Sequence, residues 1–256
     1  MRSLSFAALF ALAISVALAP IPALARNNNT PPGDPCGNGN GQGTGNPCNG
    51  NNGNEGANGN SGNGNGGGNG GGGQPFTEIP KPTGYDSGAY ITQIGSTNNA
   101  RINQSAPSQY TRIAQQGDGN NATARQLGGV QFAEISQQGD DNVTDVEQQG
   151  AGENVLYLAQ QGNANNATVS QTEGGITYNA AVIFQKGDGN DLSLTQDGSD
   201  NQAALVQDGD ANAMTATQTG NDNRLQWTQQ GNGLSDLLIQ QTGGATIQIT
   251  QSNGGH

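Results

Sequence analysis

Residues 185–207 read QKGDGNDLSLTQDGSDNQAALVQ. Glutamine stands at Gln185, Gln196 and Gln207, eleven residues apart, and glycine follows two residues after the first two of them, at Gly187 and Gly198. Asparagine comes five residues after each of those two glutamines, at Asn190 and Asn201. Between each Asn and the next Gln, aliphatic residues take alternate positions, Leu192/Leu194 and Ala203/Leu205. Side chains at six, four, two and zero positions before a Gln share one face only if the chain is extended, because strand side chains alternate with period two. A helix would scatter the same residues around its whole surface. Each eleven is therefore a strand whose inward face reads Asn, small or branched aliphatic, aliphatic, Gln. A turn of Gly and Asp follows, built from residues that tolerate left-handed backbone angles and hydrogen-bond their own turns.

The same ruler extends both ways from this stretch. Glutamines stand at Gln93, Gln104, Gln115, Gln126, Gln137 and Gln148, then at Gln160 and Gln171 after a slip of one, then at Gln185, Gln196, Gln207, Gln218, Gln229, Gln240 and Gln251 after a slip of three. Residues 85–256 hold 26 glutamines, so chance would fill about two of these fifteen positions. Asn precedes the Gln by six at Asn98, Asn120, Asn142, Asn165, Asn190 and Asn212, among others, while Leu234 and Ala245 replace it in the last two units. Both slips fall in turn zones, where a stacked architecture tolerates insertion. Two strands and two turns make a 22-residue coil, so each Gln stacks on the Gln two units later. The expected fold is all-β: a β-solenoid of stacked strand-turn-strand-turn coils, cross-β-like, over residues 85–256. Its core is columns of Gln and Asn, whose amides offer both donors and acceptors along the stack, with thin columns of Ile, Leu, Val and Ala. On this ruler Asp236 falls on the inward face, an unpaired charge that would oppose the stacking of identical ends.

Composition agrees with a repeat and excludes much else. Only 31% of the residues are hydrophobic, 11% are charged and 43 are glycine, too little apolar volume for a conventional core of this length. The net charge of −12, with eight Lys+Arg against twenty Asp+Glu, gives no basic patch for nucleic acid. The single histidine is His256, which removes most His-based catalysis and any His-cluster metal site. Paired acids on a strand face are absent, so the chain is not expected to be an enzyme, and no cofactor is implied.

The N-terminal residues read as a secretory signal, 1–25: a basic Met1-Arg2, an apolar run from Leu4 to Ala19, and a small-x-small site at Ala23-Leu24-Ala25. Pro20 and Pro22 break the run, it is short for a membrane span, and no stable membrane insertion is expected. Residues 26–84 are a Gly/Asn-rich leader without hydrophobic periodicity, expected to be disordered. Cys36 and Cys48 lie there; in an oxidising compartment they can close a small loop, with free thiols as the alternative, and two thiols are too few for a metal site.

The spacing Gln-x-Gly-x-x-Asn-x-Ala-x-x-x-Gln resembles the curlin repeat of curli subunits, the secreted bacterial functional amyloids. It stands here as Gln93-Gly95-Asn98-Ala100-Gln104, Gln115-Gly117-Asn120-Ala122-Gln126 and Gln160-Gly162-Asn165-Ala167-Gln171, with variants such as Gln137-Gly139-Asn142-Thr144-Gln148. The resemblance implies a homopolymeric extracellular fibre of the cell surface, used in adhesion and biofilm matrix. It also implies other curlin subunits and a dedicated outer-membrane secretion pore as partners. The departures are the rarity of Ser six before the first Gln, which only Ser87 supplies, and the missing Asn of the last units. A calcium-binding β-roll adhesin is the rival reading, since it too uses Gly/Asp turns, but its repeat is nine residues with Asp at a fixed place. Here the period is eleven and the turn Asp moves among positions 118, 140, 188, 200, 210 and 222.

Overall fold

A computed structural model of the chain describes residues 76–175 and 177–253. The signal segment, Cys36, Cys48, most of the leader and His256 lie outside the described residues. The described part is a β-solenoid of about seven turns with no helix.

One parallel sheet holds eight strands: β1 (Gly88–Ile94), β3 (Gln109–Gln116), β5 (Val130–Gln138), β7 (Glu153–Gln161), β9 (Tyr178–Lys186), β11 (Gln202–Asp208), β13 (Arg224–Gln230) and β15 (Thr246–Ser252). The facing parallel sheet holds seven: β2 (Asn99–Gln104), β4 (Asn121–Leu127), β6 (Val143–Gly150), β8 (Asn166–Glu173), β10 (Asp191–Gly198), β12 (Ala213–Thr219) and β14 (Ile239–Thr242). Consecutive strands alternate between the sheets, so every strand pairs with the strand two before it and the strand two after. The register is Gln on Gln: Gln93 pairs with Gln115 and Gln104 with Gln126. The two slips are absorbed in the β6–β7 and β8–β9 turns, which leaves Gln137 paired with Gln160 and Gln160 with Gln185.

Period two governs burial. Strands β10, β12 and β13 alternate between buried and partly exposed residues along their length. The buried members, among them Ile113, Ile135, Leu156, Leu158, Ile183, Leu192, Leu194, Leu205, Leu225 and Trp227, form one continuous apolar core between the sheets. The turn after each strand of the eight-stranded sheet except β15 opens with a glycine, and the backbone demands it. Gly117 has φ 119°, and a Cβ there would sit 2.1 Å from the carbonyl oxygen of Gly139 in the next coil. Identical turns stacked one strand spacing apart, about 4.8 Å, leave no room for a side chain at that point.

Two features differ from the sequence expectation. The expected leader boundary at residue 84 falls inside packed structure: residues 76–85 cross the outer face of the eight-stranded sheet. Ile79 is 1% exposed; its N–H donates to Oε1 of Gln202 at 2.8 Å, and its carbonyl accepts from the Tyr178 hydroxyl at 2.9 Å. Lys81 pairs with Glu153, and the Tyr85 ring packs edge-on against Phe132, centroids 5.0 Å apart. Under this strap the outward positions of the sheet are apolar, with Phe132, Val155, Tyr157, Ala180 and Val182 joining Ile79 in a second cluster. That is why β7 is buried on both faces rather than polar outside.

The second difference is in β14. Ala216 pairs with Ile239 and Gln218 with Gln241, while the N–H of Leu234 donates to Oδ1 of Asn212. Five steps from Leu234 to Ile239 thus face four from Asn212 to Ala216, so one residue is extra. Leu238, at φ 48°, takes up the bulge. Asp236, just before the bulge, is exposed, and its Oδ1 accepts from the N–H groups of Thr215 and Leu238 at 2.9 and 2.8 Å. The carboxylate is therefore not the unpaired charge that the ruler implies.

Candidate functional site: the amide ladders and their open ends

The glutamine grid forms two ladders, one per sheet. In the eight-stranded sheet Nε2 of Gln93 donates to Oε1 of Gln115 at 2.7 Å, and the same bond runs from Gln115 to Gln137 at 2.8 Å. It continues from Gln137 to Gln160, Gln160 to Gln185 and Gln185 to Gln207, each at 2.9 Å. Gln207 to Gln229 and Gln229 to Gln251 close the column at 3.0 Å. In the facing sheet the column runs Gln104, Gln126, Gln148, Gln171, Gln196 and Gln218, with bonds of 2.7 to 2.9 Å. It ends on Gln241 at 2.8 Å.

Gln240, expected on this grid, is exposed on the outside and is replaced by Gln241, 2% exposed. The bulge at Leu238 shifts the strand by one residue, and a shift of one turns every side chain over. The Gln240-Gln241 doublet was the only trace of this in the sequence.

Between the two ends of the stack the ladder amides use their second N–H as well. Nε2 of Gln115 donates to the Asn99 carbonyl at 3.0 Å, Gln126 to that of Tyr110 at 3.0 Å and Gln171 to that of Val155 at 3.2 Å. These carbonyls belong to strands of the opposite sheet, so the Gln side chains bridge the two sheets. Buried amides would cost heavily if unpaired, and here the grid glutamines from Gln115 to Gln229 are 2% exposed or less. The ladder supplies cohesion that the sparse apolar columns do not.

The asparagines cap the turns. Oδ1 of Asn98 accepts from both the backbone N–H and Nδ2 of Asn120, at 3.0 and 3.1 Å, while Nδ2 of Asn120 donates to the Gly139 carbonyl at 2.7 Å. Asn142, Asn165 and Asn190 repeat the pattern, and Asn212 donates to the Gly231 carbonyl at 2.7 Å. At Leu234 only the backbone N–H continues the column. Sequence reasoning missed a third column. Oδ1 of Asp118 accepts from the Ser96 N–H at 2.6 Å, and Asp140, Asn163, Asp188, Asp210 and Asn232 accept in turn from the N–H of the matching residue one coil earlier. The Ser96 amide and hydroxyl hold the Asp118 carboxyl below the usual carboxylate range. What looked like a wandering Asp is therefore two sets: this row, and Asp200 and Asp222 at positive-φ positions in the opposite turns. Asp200 lies beside Asp222 and raises its pKa, through a hydrogen bond and repulsion. Among the described residues no group of acids, His or Cys could hold a metal ion.

The stack is polar. Every Gln–Gln bond points its donor toward the C-terminal coil, so the two ends differ. At one end stand the edges of β1 and β2, with Oε1 of Gln93 and Gln104 accepting no hydrogen bond among the described residues. At the other stand β14 and β15, with Gln251 Nε2 donating once, to the Ser235 carbonyl at 3.0 Å. Neither end has a further strand on it among the described residues.

Residues 177–198, which span β9, the following turn and all of β10, match the family described as the curlin associated repeat. No curated protein and no solved structure matches the chain. The matched unit contains one full period, Gln185-Gly187-Asn190-Gln196, and the same hydrogen-bonded geometry recurs in the coils on either side of it. Residues 177–198 are thus one curlin associated repeat, and the coils around it carry the same ladder geometry.

Proposed function

We propose that this protein is a secreted structural subunit that assembles end to end into curli-like amyloid fibres of the cell surface, serving adhesion and biofilm matrix. The observation that carries the reading is the pair of unlike open ends. Each presents a row of backbone N–H and C=O groups of the kind that recruits another chain. One offers amide oxygens where the other offers an amide N–H. An interface whose two sides differ, repeated along the one axis of the stack, does not close and yields a filament. The curlin associated repeat supports the same reading from the family side. In this reading residues 1–25 direct export, and residues 26–75 link the signal to the packed strap. Other curlin subunits and an outer-membrane pore serve assembly and secretion, and the turn carboxylates, occupied by backbone N–H groups, serve the fold rather than calcium.

Thioflavin fluorescence with electron microscopy on the chain from residue 26 onward tests the proposal. Fibres with a lag shortened by added seeds are expected at micromolar concentration. A chain that stays monomeric for days refutes it.

A further inference from the structure

The described strands number fifteen, eight in one sheet and seven in the other. This odd count constrains how a second copy can dock, given the end-to-end assembly proposed above, on which the inference rests. β15 closes the eight-stranded sheet, and β14, half a coil earlier, closes the facing one. If a second copy docked without rotation, its β1 would lie on β15. Its β2 would then stand two strand spacings, about 9.6 Å, from β14. One strand's worth of backbone groups and the partly buried Ile239 would face a gap at every junction, and buried unpaired backbone is costly.

We infer that successive copies are related by a half turn about the fibre axis, so that β1 of the second copy lies on β14 and its β2 on β15. Each sheet of one subunit continues as the opposite sheet of the next. Every strand is then one spacing from its neighbours, and the eleven-residue repeat keeps the columns in phase across the sheets. Gln93 of the second copy meets Gln241, and Gln104 of the second copy meets Gln251, whose Nε2 has one N–H left for it. The apolar columns match as well. Ile91, 47% exposed, lands on Ile239, and Ile102 on Ile249, closing three of the partly buried positions at the ends of the core. The strap consequently alternates between opposite sides of the fibre.

Cysteine pairs read the rotation directly, in a chain with Cys36→Ser and Cys48→Ser to remove native thiols. Thr92→Cys with Gln240→Cys places two outward thiols on directly paired residues under the half turn. Thr92→Cys with Thr250→Cys does so only without rotation. Oxidised fibres of the first pair should run as covalent ladders after denaturation, and those of the second as monomers. Fibres that cross-link through the second pair, or through neither, overturn the half turn while leaving assembly intact. If no fibres form from the unsubstituted chain, the assembly reading falls and the half turn with it. Helical reconstruction of unsubstituted fibres gives a second test: a rise of about 36 Å per subunit, with a half turn added to the coil twist. A rise of about 38 Å without the half turn overturns the inference.

Discussion

Nε2 of Gln218 donates to Oε1 of Gln241 at 2.8 Å, passing over Gln240, which stands eleven residues after Gln229 and belongs to the ruler by count. The neighbours are chemically identical, so the choice between them is made by backbone geometry alone. Gln241→Ala should therefore leave the buried Gln218 amide without its acceptor and cost about 1–3 kcal/mol. Gln240→Ala, on the exposed side, should stay within about 0.5 kcal/mol of the parent. Urea unfolding of freshly prepared monomer measures both. Equal losses would mean that the strand slips freely between the two registers.

The interior of the ladder offers the same contrast without a bulge. Gln137 is 1% exposed and donates to Gln160, whereas Gln138 is exposed. Gln137→Ala should destabilise the monomer by about 2 kcal/mol and slow fibre growth, while Gln138→Ala should do neither. If the two variants grow at the same rate, the inward ladder has no part in assembly.

Turn glycines divide by what surrounds them. At Gly117 an added Cβ meets the Gly139 carbonyl oxygen at 2.1 Å, with φ 119°, whereas at Gly189, φ 66°, nothing lies within 4 Å. Gly117→Ala should cost about 3 kcal/mol or more, from clash and backbone strain together, and Gly189→Ala only about 1 kcal/mol. Thermal melts followed by circular dichroism separate them, and similar losses would show that the turns open to admit a methyl group.

Much of this architecture is written in period two and period eleven. Leu156/Leu158 and Leu192/Leu194 announce an inward face, and Gln with Gly two residues later announces each turn, so strands, sheets and columns follow from spacing. Two parts do not, for different reasons. The bulge is hidden because Gln240-Gln241 satisfies either register. The choice rests on Leu238 accepting φ 48° and on Asp236 bonding the Thr215 N–H, neither of which leaves a repeat signature. The strap is hidden because its partners are remote: Ile79 bonds Gln202, 123 residues away. Its sequence, Phe76 to Tyr85, has no period and adjoins a Gly/Asn run. The outward apolar residues Val155, Tyr157 and Val182 were the available hint, since an uncovered strand face would be polar.

Glu134 lies on that covered face, 5% exposed, and supplies the last test. Burial pushes its carboxyl above the usual carboxylate range, with Arg112 and the Tyr110 hydroxyl pulling it only partly back. A carboxyl whose folded pKa is raised favours folding in its protonated form. That contribution is complete below the ordinary carboxylate pKa and is lost as pH rises through the raised value. At neutral pH the ionised, buried group is thus a net cost to the fold. Glu134→Gln keeps the shape and the hydrogen-bonding oxygen without the charge, so it should be more stable than the parent at pH 7. The advantage should shrink on acidification and vanish near pH 4, about where an ordinary carboxylate takes up its proton. Denaturant midpoints of the two proteins across this range decide it. A variant less stable than the parent at neutral pH would mean that attraction to Arg112 outweighs the cost of burying the charge.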